Sequence, residues 1–163
     1  MRSPPVARSP GAAGTVQASL RKATIMNFVS LRLITDDTSR LVRFYEVVTG
    51  RAATWYTEDF AELATPSCTL AIASGRTMAL FGAGAAHAAD NHSAILEFRV
   101  DDVDADHARL GTLVDDFVQA PTTQPWGNRS LLFRDPDGNL INLFTPVSAA
   151  AISRNAAAAQ AGD

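Results

Sequence analysis

The sequence predicts an α+β fold with a largely antiparallel sheet, assembled from two copies of one strand–helix–strands unit. Three observations predict it. Strand-period and helix-period patterns occur in the same order twice, about 55–60 residues per copy, although the residues themselves barely match. Strands run in groups separated by single helices. Neither copy is long enough to build a stable core alone, so the two must combine.

The first copy opens with a strand at 27–35, in which Val29, Leu31 and Leu33 alternate with Phe28, Ser30, Arg32 and Ile34. Asp36 and Asp37 offer an N-cap. Leu41, Phe44, Tyr45 and Val48 then follow at i, i+3, i+4 and i+7, the stripe of an amphipathic helix that Gly50 closes. Short β-like runs come next, at 52–57, 61–64, 69–74 and 77–81, punctuated by Pro66 and Gly75. Residues 82–91 form a linker of small residues. The second copy repeats the order. A strand at 93–100 places Leu96, Phe98 and Val100 on one face, and Asp101 and Asp102 cap a helix with the stripe Val103, His107, Leu110 and Val114. A short strand at 117–120 and a loop at 121–128 lead to strands at 129–134 and 139–145. These two are joined by Asp135-Pro136-Asp137-Gly138, a hairpin turn with Pro at its second position and Gly in the left-handed one.

The organisation expected is an N-terminal tail at 1–25, a body at 26–146 and an Ala-rich C-terminal tail at 147–163 that could form a short helix. The body divides into a first module at about 26–84 and a second at about 93–146. The tail is rich in Pro, Gly and Ser and holds no acid, and such a segment cannot bury enough surface to offset its ordering entropy. It has no apolar core of a secretory signal. Across the 163 residues the net charge is −3, which gives no basic footprint for nucleic acid. No stretch reaches the roughly 18 unbroken apolar residues of a membrane span. Cys68 is the single cysteine, so neither an intrachain disulfide framework nor a multi-cysteine zinc site is available, and a reducing, cytoplasmic setting is expected.

Two runs carry a resemblance. Leu31-Arg32-Leu33, Asp37, Phe44-Tyr45-Glu46 and Gly50 are similar to the opening module of the vicinal oxygen chelate (VOC) superfamily. Gln124-Pro125-Trp126-Gly127-Asn128-Arg129-Ser130 and Phe133-Arg134-Asp135-Pro136-Asp137-Gly138-Asn139-Leu140 are similar to its closing module. That superfamily includes glyoxalase I, bleomycin-resistance proteins, extradiol dioxygenases and fosfomycin-resistance transferases. The resemblance covers about three quarters of the chain and implies a pair of βαβββ modules, each with a curved sheet cupping one side of a cleft. It also implies a homodimer, whose pairing would cover exposed sheet edges.

The enzymes of the superfamily usually hold a divalent metal through His on the first strand of each module and Glu on the last strand. The resemblance places the first ligand position on Phe28 or Ser30, the second near Ile95 and the last on Asn142. None supplies an imidazole or a formal charge, so no cofactor is expected, with a divalent metal as the alternative. His87 and His92 flank the linker at a spacing of five, which is not the i, i+4 of a helical metal pair.

The mixed strand faces should line the cup. The ligand-binding candidates are Ser30, Arg32, Trp55, Glu97, Arg99, Trp126, Asn142 and Phe144. Inward charges need partners or a ligand, so an internal Arg32–Glu97 ion pair is the simplest expectation. Trp55 and Trp126 could stack on a planar molecule. No catalytic residue is identified; Glu97 is the one candidate acid or base. The expected function is therefore metal-free binding of a small organic ligand in the cleft, a sequestration like that of bleomycin-resistance proteins. The alternative is a glyoxalase-like lyase or isomerase, or a dioxygenase, using a divalent metal or Glu97.

Overall fold

The structure, a computed structural model, describes residues 27–160, with side chains to 157. The predicted tail at 1–25 and the last three residues lie outside the described residues. The α+β class and the two βαβββ units are present. In the first unit, β1 (Ser30–Thr35), α1 (Thr38–Thr49), β2 (Thr54–Thr57), β3 (Phe60–Ala64) and β4 (Thr69–Ser74) form a sheet of order β1-β4-β3-β2. The second unit repeats this with β5 (Ile95–Arg99), α2 (Val103–Leu110), β6 (Phe117–Thr123), β7 (Asn128–Arg134) and β8 (Leu140–Pro146), ordered β5-β8-β7-β6. Each sheet is mixed. The first strand runs parallel to the last, as the helical crossover requires, and the remaining pairs are antiparallel. A C-terminal helix, α3 (Ala149–Gln160), follows β8. Among the described residues no helix is long and apolar enough to cross a membrane.

The helices begin and end where their caps dictate. The Asp37 side chain accepts the Arg40 amide at 2.9 Å, and Gly50 closes α1 at φ 66°, a conformation costly for any residue with a Cβ. Asp102 accepts the amides of Asp104 and Ala105 to start α2. The α1 stripe Leu41, Phe44, Tyr45 and Val48 is buried, and α1 contributes with β3 and β4 to a core that also holds Leu96, Leu110, Leu131, Phe133, Ile141 and Leu143 of the second unit. One core therefore serves both sheets. Each fully buried large side chain contributes about 1.5–3 kcal/mol by leaving water. Phe44 approaches Phe133 at 6.4 Å, and Tyr45 approaches Phe98 at 6.5 Å. Arg109 of α2 donates to the Val47 and Val48 carbonyls, two of the acceptors left open at the end of α1.

Two expectations are corrected. Residues 77–81 are not a strand: Gly75–Leu80 form a 3-10 helix, started by Ser74, whose hydroxyl accepts the Arg76 amide. The Thr77 hydroxyl also bonds back to the Ser74 carbonyl, so local side-chain bonds compete successfully with a sheet ladder. The loop expected at 121–128 is shorter, because β6 continues to Thr123. Its pairing with β7 shifts register twice, which lets the strand pass Pro121.

Candidate functional site

Register divides each sheet into two faces. One enters the shared core. The other, here termed the cup, turns away from it. In the first sheet Ser30, Arg32 and Ile34 of β1 lie beside Thr69, Ala71 and Ala73 of β4, with Glu62 and Phe60 of β3 beyond. In the second, Ile95, Glu97 and Arg99 lie beside Leu140, Asn142 and Phe144, then Arg134, Leu132 and Ser130. Strand alternation thus places Ser30 and Arg32 on one cup, and Glu97, Arg99, Asn142 and Phe144 on the other.

Arg32 and Glu97 make no ion pair or hydrogen bond with each other, which corrects the expected pair. They stand on separate sheets, each turning its other face to the core shared with the two helices. The Arg32 guanidinium instead sits 5.0 Å from the ring centre of Phe60 and 5.3 Å from that of Phe81. Two ring faces attract the cation without satisfying its N–H donors. Tyr56 extends this aromatic group, at 5.6 Å from Phe60.

Trp55 does not join it. Its register partner is Ala61, whose side chain enters the core, and strand alternation puts the next residue, Tyr56, toward Phe60. Trp126 lies half-exposed in the β6–β7 turn beside α3, where its carbonyl accepts from Arg154. Arg99 reaches toward α3, its Nη1 lying 3.5 Å from the Asn155 carbonyl. Phe60 was legible as a cup residue from the alternation of 60–64. Phe81 was not, because its position depends on the 3-10 helix.

In the second cup Asn142 is 9% exposed, and its Nδ2 donates to Glu97 Oε1 at 2.8 Å. That bond fixes the amide orientation and leaves Asn142 Oδ1 buried without a donor. At the positions where the superfamily resemblance implies metal ligands stand Phe28 or Ser30, Ile95 and Asn142. This donor set does not fit a transition metal, since it carries neither imidazole nor carboxylate. Among the described residues no three of His, Cys, Asp and Glu converge. His87 and His92 are exposed in the linker, and His107 packs edge-on against Phe117 at 4.9 Å.

The linker lies between the cups. A pocket of about 300 Å³ is bounded by Arg32, Ile34, His87, Asp90, Asn91 and Asn139. A second, of about 180 Å³, is bounded by Asn91, His92, Ile95, Arg134 and Leu140. Asn91 borders both and donates to Asn139 Oδ1 at 3.0 Å.

Comparison with known proteins adds the following. Residues 26–143 match the family model of the Glyoxalase/Bleomycin resistance protein/Dioxygenase superfamily. A glyoxalase/bleomycin resistance protein/dioxygenase from Nocardioides superposes with a TM-score of 0.67 at 19% identity, covering 85% of this chain and 95% of the other. A glyoxalase/bleomycin resistance protein/dioxygenase family enzyme from Burkholderia phytofirmans PsJN gives 0.66 at 16% identity, covering 75% and 100%. A glyoxalase-related enzyme from Fulvimarina pelagi gives 0.65 at 19% identity, covering 77% and 95%. No curated protein matches the chain. At these identities the structural likeness establishes the fold alone.

Proposed function

The chain belongs to the glyoxalase/bleomycin resistance protein/dioxygenase superfamily, and from that premise we propose that it binds a small, planar organic ligand in the cup without a metal. What supports this reading is the pair of cup surfaces: one carries the Arg32 guanidinium beside the Phe60 and Phe81 rings, and the other carries Ile95 and Asn142 where the resemblance implies metal ligands. Such a surface orients a ligand by stacking and a few polar groups and needs no chemistry.

The site is completed by a second copy of the chain. A drug-sized ligand needs an enclosure of roughly 300–1,000 Å³, and the pockets of one chain only reach the lower edge of that range. Tyr56, Leu80, Phe81 and Ile95 are left exposed, at 61, 84, 70 and 49%. Pairing of two copies buries exposed apolar side chains of this kind and encloses the ligand.

Sedimentation equilibrium tests the pairing, and a fluorescence titration with planar heteroaromatic compounds tests the binding. A concentration-dependent dimer and saturable quenching are expected. A monomer at all concentrations would overturn the shared site. Turnover of a hydroxy-ketone or catechol substrate, abolished in Glu97→Gln, would replace the binding reading with an enzymatic one in which Glu97 is acid or base.

A further inference from the structure

We infer that the C-terminal helix α3 is a displaceable cover on the second cup, which must lift off Phe144 and Ser130 before a ligand reaches that end of the sheet. The inference rests on the cup-binding reading above and adds how access to the surface is controlled.

The placement of the helix comes first. Ser148 caps α3: its hydroxyl accepts the Ala151 amide at 3.1 Å, and its own amide donates to the Gly127 carbonyl, in the turn that leads into β7. Seven residues on, the Asn155 carbonyl lies 3.5 Å from Nη1 of Arg99, at the end of β5. Seven helical residues rise about 10 Å, and two strand spacings span about 9.6 Å. The strand between β5 and β7 is β8. The helix therefore crosses from β7 to β5 over β8, against which it packs. It does so on the cup face, because Arg99 points to that face together with its register neighbours Phe144 and Ser130. Burial agrees. Ser130 is 2% exposed and Phe144 is half-buried, although both point away from the shared core. The helix also begins beyond residues 26–143, the part of the chain that matches the family.

The hold on the sheet is slight. The face turned inward is Ser148, Ala151 and Asn155, at i, i+3 and i+7. Among the described side chains of α3 only Ala151 is buried, and it offers a single methyl group. Ile152, the one large apolar side chain, is 54% exposed. The remaining tethers are two surface contacts, Arg154 donating to the Trp126 carbonyl at 2.8 Å and Arg99 reaching Asn155. A helix of 12 residues is marginal without tertiary packing. A segment with so few buried apolar contacts opens at a lower free energy than the core beneath it. Opening bares the Phe144 ring and releases the Arg99 guanidinium beside it, a stacking surface and a donor on one face. The apparent affinity of a ligand for that face is then reduced by the fraction of chains in which α3 is open.

The test uses the full chain and 2-naphthol, a planar probe that is neutral at pH 7, with affinities measured by calorimetry. In native-state hydrogen exchange, amides 152–157 should open at least about a hundredfold more often than those of β8. Ala151→Arg puts a long charged side chain where a methyl group fits. It should tighten 2-naphthol by at least about fivefold, and by no more than the closed-to-open ratio that exchange gives. Arg154→Ala removes one exposed tether without touching the core and should give a smaller gain in the same direction. Phe144→Ala combined with either variant should abolish the gain. Protection of α3 equal to that of β8 overturns the inference. So does 2-naphthol affinity that is unchanged or weaker in both variants, which leaves the cup-binding reading in place. Failure of 2-naphthol to bind any of these proteins at millimolar concentration overturns both.

Discussion

The hydroxyl of Tyr45, on α1 of the first unit, donates to Oδ2 of Asp135, in the β7–β8 turn of the second, at 2.9 Å, with both side chains buried. Asp135 also accepts the amides of Asp137 and Asn139 and the Asn139 side chain. One carboxylate thus shapes the hairpin turn and joins the two units through Tyr45. Arg40 of α1 reaches the same turn by its ion pair with Asp137.

Tyr45→Phe is expected to destabilise the protein by about 1.5–3 kcal/mol, the range for a hydrogen bond to a charged group. Denaturant unfolding measures it. An unchanged midpoint would mean that Asp135 is served well enough by its three other donors.

Burial first, and the neighbouring Asp135 charge second, hold the Tyr45 hydroxyl well above its ordinary pKa of 10.0. Above that value the unfolded chain releases the proton while the folded chain keeps it, so the unfolded state binds fewer protons and stability falls as pH rises. The thermal midpoint should drop progressively above pH about 10, and more steeply than in Tyr45→Phe. Parallel profiles for the two proteins would remove Tyr45 as the cause.

Gly127 has φ +91°, and a Cβ there would lie 1.9 Å from Ser148 Oγ and 2.7 Å from Ser148 Cβ. Its carbonyl accepts the amides of Val147 and Ser148, which lead into α3. Gly127→Ala should cost about 2 kcal/mol or more from the left-handed backbone and the clash together. Faster hydrogen exchange in α3 should accompany it, and unchanged protection of residues 149–157 would contradict the assignment.

Arg32→Ala and Phe81→Ala remove exposed groups, so the thermal midpoint should stay within the roughly ±0.5 kcal/mol usual for surface changes while binding of a planar probe weakens. Trp126→Ala serves as a comparison, since Trp126 is half-exposed but lies against α3. A large loss of stability with unchanged affinity would make these residues structural.

Protein purified without chelator should carry no stoichiometric transition metal, and titration with Mn, Ni, Fe(II) and Zn should give no tight binding, as the side chains at Phe28 or Ser30, Ile95 and Asn142 imply. One metal per chain by elemental analysis would overturn the metal-free reading and direct mutagenesis to His87, His92 and Glu97.

Much of the fold was legible in the chain because its causes are local. The α1 stripe, the Asp37 and Asp102 caps, Gly50 and the Asp-Pro-Asp-Gly turn each act over a few residues, and each appears where the pattern placed it. Alternation in β5 and β8 also assigned Glu97, Arg99, Asn142 and Phe144 to one face, since a strand side chain can point only to one side or the other. Only its ring marked Trp55 as a candidate; pairing with Ala61 puts it on the core side of β2, and the next residue, Tyr56, lies toward Phe60.

The sequence by itself determined the repeat and the caps and turns, and it places neither imidazole nor carboxylate where the resemblance implies metal ligands. Only the tertiary structure decided how the halves meet. Arg32 and Glu97 stand on separate sheets that turn their other faces to the shared core, the first beside Phe60 and Phe81 and the second bound to Asn142 with one amide oxygen unpaired. Periodicity tells which side of a strand a residue occupies. Which other surface that side faces depends on contacts between residues far apart in sequence, and no local pattern records them.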